Sequence, residues 1–318
     1  MIKRLVVTGA SGFIGSWLAR YYHSLGIETF AIARSRLHLE RLTNFPERYL
    51  LIASDDEWPL IIERIKPTSL ISADWEGVDS ASRNSVQIQN NNISRVMRLA
   101  ESSMKSDVRD FLAFGSQAEN GPINVPAEEK NYDSATTVYG LAKIELRKSL
   151  EDFFRNSQVR FIWGRIFSAY GPLDNPKWLL PSVINSLILG NRFALTSGEQ
   201  VWSYLHAHDL CRATHYCLNE YSVSGLVNMG NDQVTTIREY ANYIGSLIGH
   251  AELLDFGTQS YRPDQVMYLE PINTTLTSIG WRPSIQTEVG LEDLIRWYRN
   301  RESNLDPFSL YGIPRIPQ

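Results

Sequence analysis

The stretch KRLVVTGASGFIGSWLARYY, Lys3 to Tyr22, decides the reading of this 318-residue chain. An apolar run, LVV, ends in a turn with Gly9, Gly12 and Gly15 at three-residue intervals, and SWLARYY follows with helical spacing. A tight turn needs Gly9, backbone approach to a pyrophosphate needs Gly12, and close helix-to-strand packing needs Gly15. The helix N-terminus then faces the phosphates with its unpaired N–H groups. Strand, glycine turn and helix in that order predict a dinucleotide site.

Outward from this unit the same alternation continues. KRLVVTG, ETFAIAR, YLLIASD, SLISAD, FLAFGS and VRFIWGRIF read as strands, separated by helical segments such as EWPLIIERIK, NNISRVMRLAESS and YGLAKIELRKSLEDFFR. Short apolar strands alternating with amphipathic helices predict the α/β class, a Rossmann-type doubly wound parallel sheet covered on both faces. From Ser168 onward the regularity fails. YGPLDNPKWLLPS, TSGEQVWSYLHAHD and FGTQSYRPDQ are rich in Gly, Pro and aromatics and predict a smaller C-terminal substrate-binding lobe. The expected division is a cofactor-binding domain at 1–167, with 206–235 returning to it, and a lobe at 168–205 and 236–318.

Composition narrows the function. Charged residues at 21% and hydrophobics at 43% are globular proportions, and a net charge of -4 without a basic tract argues against nucleic acid or anionic membrane as partner. Cys211 and Cys217, six apart in the helical AHDLCRATHYCLNE, suit neither a redox pair nor a zinc cluster and read as buried free thiols. His206, His208 and Asp209 lack evident further ligands, so no metal is expected. The N-terminus enters a strand directly, and no apolar run approaches the length of a membrane span, so a cytoplasmic protein is expected.

The chemistry is carried by three short motifs. The second strand ends in ARSR, where Arg34 and Arg36 stand in place of the acid that usually meets an NAD ribose. Two guanidinium forks suit a 2′-phosphate, so NADP(H) is expected, with NAD(H) second. Asp55, after the third strand, is a candidate acceptor for the adenine amino group. TTVYGLAK places Tyr139 and Lys143 one helical turn apart on one face. A phenol ordinarily titrates near 10 and needs a nearby ammonium to act at neutral pH. GSQAENG places Ser116 after a strand, 23 residues before Tyr139, so that hydroxyl and phenol converge on one carbonyl oxygen.

With these residues the chain resembles an extended short-chain dehydrogenase/reductase of the NAD(P)-dependent epimerase/dehydratase, or nucleotide-sugar modifying, family. The resemblance covers nearly the whole chain. It implies Ser116, Tyr139 and Lys143 as the catalytic residues. The cofactor would be held by Gly9, Ser11, Gly12, Phe13, Ile14, Gly15, Arg34, Arg36, Asp55, Ala73 and Asn92, together with Tyr139 and Lys143. Substrate would meet Trp75, Gln117, Ser168, Arg192, Trp202 and Arg262. Two departures stand out: RIFSAYGP carries Ser168 where the family commonly has Asn, and Trp202 replaces a frequent Arg. WEGV, Trp75 to Val78, resembles 4-ketoreductase-like members.

Family dehydratases place an acid and base immediately after the catalytic hydroxyl. Here Gln117 and Ala118 exchange no proton, and Glu119 comes one residue late. The expected reaction is therefore NADPH-dependent reduction of the C4 ketone of a nucleoside-diphosphate 4-keto-6-deoxy sugar. A nucleotide-sugar 4-epimerase is the alternative, and a non-catalytic NADP(H)-binding or structural protein is the reading from another class. Surplus apolar positions on the helices from about Val86 to Ser103 and from Tyr139 to Phe154 predict a homodimer.

Overall fold

A computed structural model describes residues 2–130, 133–262, 264–301 and 307–311. Seven strands form one sheet: β1 (Arg4–Thr8), β2 (Glu28–Ala33), β3 (Leu50–Ile52), β4 (Ser69–Ser72), β5 (Asp110–Ser116), β6 (Arg160–Ile166) and β11 (Gly225–Met229). Their order is β11-β6-β5-β4-β1-β2-β3, and every pairing is parallel. The intervening strands β7 (Ala169–Tyr170), β8 (Phe193–Leu195), β9 (Val201–Ser203) and β10 (Leu205–His206) lie outside this sheet. So do β12 (Val234–Thr236) and β13 (Leu254–Phe256); all six form two-stranded pairs.

Strand residues alternate between the two faces of the sheet, as their period of two requires. Leu5, Val7, Ile71, Leu112 and Ile162 pack on α1 (Phe13–Ser24) and α6 (Ala207–Asn219), with Trp17, Leu18, Leu210 and Cys217 in the same cluster. Val6, Leu70, Phe111, Phe161 and Trp163 face α2 (Trp58–Ile65), α3 (Val86–Met104) and α4 (Val138–Phe154). Both faces are thus covered, which is why the strands read as apolar runs in sequence. The smaller C-terminal region has its own core, where α5 (Leu179–Ile188), α7 (Ile237–Ile248) and α9 (Thr287–Asn300) meet through Val183, Ile184, Ile244 and Leu294. A short helix, α8 (Thr274–Ser278), lies between the last two. The fold is the expected Rossmann-type sheet with a smaller C-terminal region.

Winding reverses between β1 and β4, and ligands of such sheets bind in the crevice beyond the strand ends at that point. The chain's singled-out residues collect there: Gly9 follows β1, Arg34 follows β2, Ala73 to Gly77 follow β4, and Ser116 ends β5. Cys211 and Cys217 are buried and unpaired. Among the described residues no helix is long and apolar enough to cross a membrane.

The glycine turn explains itself sterically. Gly9 sits at φ +68°, and a Cβ on Gly15 would lie 2.2 Å from the Gly9 carbonyl oxygen. Gly15→Ala must therefore push α1 off β1, at a cost of about 1–3 kcal/mol for an overpacked site. Urea unfolding is expected to show that loss; an unchanged midpoint would contradict the packing.

Candidate active site

The site starts from the end of β5. Ser116 caps a short turn, Gln117–Asn120, its Oγ accepting from Ala118 N at 3.2 Å while Glu119 Oε1 accepts from Ser116 N at 2.8 Å. This reciprocal capping box turns Glu119 back into the protein. Its carboxylate is fully buried, accepting from Trp163 Nε1 at 3.1 Å and from Arg165 Nη2 at 3.3 Å, with Arg147 Nε 3.6 Å away. Glu119 is thereby held in the interior by partners from β6 and α4. The pattern Ser-x-x-Glu in SQAE was the sequence signal for this.

Tyr139 enters from the start of α4, whose Thr137 caps the helix by accepting from Gly140 N at 3.1 Å. A Cβ on Gly140 would come within 2.5 Å of the Ala118 oxygen, so only glycine lets the helix close on the Ser116 turn. That approach brings the Tyr139 phenol beside the Ser116 hydroxyl. Burial pushes the phenol up to about 12, the neighbouring Ser116 hydroxyl offsetting only part of the rise.

Lys143 is almost fully buried one turn on and donates from Nζ to the Phe114 carbonyl at 2.6 Å. Its Nζ lies 3.5 Å from the centre of the Trp75 ring and 5.9 Å from that of Tyr139. Burial lowers it to about 7, against the opposing pull of Glu119 and Asp74. The expected depression of the phenol by Lys143 is thus corrected: the ammonium is drawn to a carbonyl and an indole face, and Tyr139 stays protonated.

Trp75, expected at the substrate, lies over Lys143, its Nε1 donating to Gln89 Oε1 at 2.9 Å. Asn92, expected to touch the cofactor, is fully buried and grips Glu76, accepting from its N at 3.1 Å and donating to its O at 2.9 Å. It positions the loop after β4. Under that loop Asp74 accepts from Thr8 Oγ1, from Ser72 Oγ at 3.1 Å and from Arg95 Nε at 2.6 Å. Asp55 sits 3.6 Å from Arg95 and 3.5 Å from Arg98.

The glycine turn has the properties a pyrophosphate requires. Gly12 is exposed and begins α1 with no side chain capping its first N–H groups, while Phe13 and Ile14 are half-buried. Gly9 packs against the backbone of Ala73, which only a residue without Cβ permits. The Ser11 carbonyl accepts from Arg41 Nη1 at 3.1 Å, and Arg41 Nε donates to Leu173 O at 3.0 Å. Arg41 lies in a stretch that reads only as polar in sequence, and nothing in its spacing signals this bridge.

Ser168 and Trp202, the two family departures, contact one another: Trp202 Nε1 donates to Ser168 Oγ at 2.8 Å. Ser168 has φ +38°, in the left-handed region that Asn tolerates better than Ser. Gln117 is half-buried beside Ser116, and Arg262 is exposed with no ion pair among the described residues. Arg192, expected at the nucleotide, is exposed and bound in a fork to Asp255, where β8 and β13 pair. His206 ends β10 and caps α6, its Nδ1 accepting from His208 N at 3.1 Å.

Residues 5–230 match the NAD dependent epimerase/dehydratase family. The chain belongs to that family. It is therefore an NAD(P)-dependent enzyme of sugar-nucleotide oxidoreduction and epimerisation chemistry. It is similar to a dTDP-D-glucose 4,6-dehydratase of Dictyostelium discoideum, 22% identical, covering 95% of this chain and 83% of that one. It is 24% identical to a trifunctional Arabidopsis thaliana protein with UDP-glucose 4,6-dehydratase, 3,5-epimerase and UDP-4-keto-L-rhamnose-reductase activities. That match covers 93% of this chain, which spans 47% of that protein's length. Among solved structures, the Thermus thermophilus UDP-glucose 4-epimerase in complex with NAD superposes at TM-score 0.83, with 19% identity, covering 93% of this chain and 99% of that one.

These findings overturn the expected NADP(H) preference. The Thermus enzyme holds NAD, as do other matched structures, among them a dTDP-glucose 4,6-dehydratase from Bacillus anthracis. A physical reason is also visible at Arg34, which is not a free cation, its Nη1 lying 2.5 Å from Glu76 Oε1.

Lys143 offers a test of its burial. Its folded value of about 7 lies below the ordinary 10.5, so between these values the unfolded chain binds more protons and stability rises with pH. Between about pH 7 and 9, the cofactor-free protein is expected to gain stability relative to Lys143→Met, read from urea midpoints. A difference independent of pH would contradict a Lys143 lowered by burial.

Proposed function

We propose that the protein reduces the C4 ketone of a nucleoside-diphosphate 4-keto-6-deoxy sugar, using NAD(H) at least as well as NADP(H). The observation carrying this is the burial of Glu119 against Trp163, Arg147 and Arg165, which keeps the carboxylate that follows Ser116 in sequence from proton transfer. Elimination needs a proton taken from carbon and another given to a departing hydroxyl. Tyr139 serves a single oxygen.

In this reading Ser116 fixes the ketone oxygen and Tyr139, held protonated, donates its proton there as negative charge develops. The bound dinucleotide supplies the hydride. Lys143, one turn on from Tyr139, is the group that reaches the ribose hydroxyls, and the phenolate that remains is reprotonated from solvent. Gly9, Gly12, Gly15 and the bare start of α1 hold the pyrophosphate, with Ser11, Phe13, Ile14 and Ala73 lining the turn and Asp55 at the adenine. Gln117 faces the nucleotide sugar from the 1–167 domain, and Ser168, Trp202 and Arg262 face it from a lobe formed by 168–205 and 236–318. That the trifunctional Arabidopsis relative counts a UDP-4-keto-L-rhamnose reductase among its activities is consistent with the reading.

The epimerase reading keeps one specific support, the fold shared with an NAD-bound 4-epimerase. Incubation with NADH or NADPH and a panel of 4-keto-6-deoxy sugar nucleotides separates the two. Loss of dihydronicotinamide absorbance with product gaining two hydrogens is expected; isomerisation of a non-keto sugar nucleotide at unchanged mass, without added cofactor, would establish the epimerase. Tyr139→Phe should lower kcat by about 10²-fold or more and leave dinucleotide affinity nearly unchanged.

We also propose a homodimer through α3 and α4, supported by exposed Val86, Met104 and Leu141 on these helices. Light scattering at micromolar concentration should give twice the chain mass; a monomer would reject it.

A further inference from the structure

Arg34 and Glu76 meet across the end of β1. Arg34 directly follows β2 and Glu76 lies four residues beyond β4, and these strands flank β1 on either side. The pair therefore closes over the glycine turn at the crevice. Both side chains are part-exposed, 34% for Arg34 and 50% for Glu76, so the carboxylate is open to a ligand as well as to its partner.

The mount is rigid where the tip is open. Asn92 holds both the N–H and the carbonyl of Glu76, and Gln89 holds Trp75 Nε1 and, from its Nε2, the Gly77 carbonyl at 2.8 Å. Three consecutive loop residues are thus pinned to α3. Arg36, by contrast, is exposed with no ion-pair partner among the described residues.

We propose that Glu76 determines cofactor specificity at the adenosine end. It supplies, from the loop after β4, the acid that is missing after β2. Its carboxylate accepts from the ribose 2′-hydroxyl and neutralises Arg34, and the same charge repels a 2′-phosphate dianion. A sequence that reads as phosphate-seeking at Arg34 and Arg36 thereby becomes a site tolerant of NAD(H). The inference rests on the dinucleotide reading of the glycine turn, and its test keeps the two apart.

Dissociation constants for NAD and NADP, measured by calorimetry without substrate, give a ratio for each variant in which any general loss of affinity cancels. Glu76→Gln keeps the side-chain shape and removes the charge, leaving Arg34 free for a phosphate. The ratio is expected to move toward NADP by about tenfold or more, and Glu76→Ala should move it in the same direction. Adding Arg34→Ala to Glu76→Gln should reverse most of the gain. If the unmodified protein binds a dinucleotide and neither Glu76 variant changes the ratio by more than about twofold, the assignment of Glu76 is wrong while the glycine-turn site stands. If the unmodified protein binds neither dinucleotide, the site reading fails and the role of Glu76 falls with it.

Discussion

The carboxylate of Glu119 is the interaction on which the rest of the site depends. It lies where β5, β6 and α4 converge, and it is the shared counter-ion of Arg147 on the helix and Arg165 on the strand, all three side chains fully buried. A buried charge cluster of this kind is not in itself a large source of stability, because desolvation consumes much of the Coulomb attraction. Removing the carboxylate is another matter, since it would leave the buried Arg165 guanidinium without its acid partner, a cost of about 3–5 kcal/mol in comparable pairs, while Arg147 keeps Asp133 and Glu151. Gly115 completes the arrangement: a Cβ there would lie 2.2 Å from Glu119 Oε1. Charge, capping and the missing side chain together fix the direction in which Ser116 leaves the sheet.

From that fixed point the geometry of the crevice follows. Ser116 is presented by a turn that cannot slide, α4 closes on the turn through Gly140, and Tyr139 is delivered to the hydroxyl. The loop after β4 is pinned separately by Gln89 and Asn92 on α3, which lays Trp75 over Lys143 and carries Glu76 to Arg34. Two polar nets therefore border the same cleft, one under Ser116 and one under the loop after β4. Beside the end of β5 stand the Ser116 hydroxyl and the Tyr139 phenol, which burial keeps protonated.

The sequence made the sheet readable because a parallel sheet covered on both faces needs apolar strands, and the glycine turn because Gly9 and Gly15 are sterically obligatory. Ser116, Tyr139 and Lys143 were legible from spacing, for one helical turn and one strand end are local facts. The partners of polar side chains were not. Arg34 meets Glu76 across 42 positions of sequence and Ser168 meets Trp202 across 34, and no periodicity links such pairs. Reading Arg34 as a free cation consequently gave the wrong cofactor preference, and the Arg192–Asp255 pair was equally invisible in the sequence. Glu119 was the intermediate case: SQAE carried a capping signature, yet only the burial of Arg147 and Arg165 reveals where the carboxylate goes.

The central claim is that this cleft moves a hydride and a hydroxyl proton at one sugar carbon and performs no elimination. Turnover of a 4-keto-6-deoxy sugar nucleotide with NADH in deuterium oxide, with product read by mass spectrometry against an enzyme-free control, tests it directly. The account predicts a product reduced by the cofactor hydride, with no enzyme-dependent deuterium on carbon. Deuterium fixed to ring or methyl carbon, or the loss of water from an unreduced hexose substrate, would contradict it.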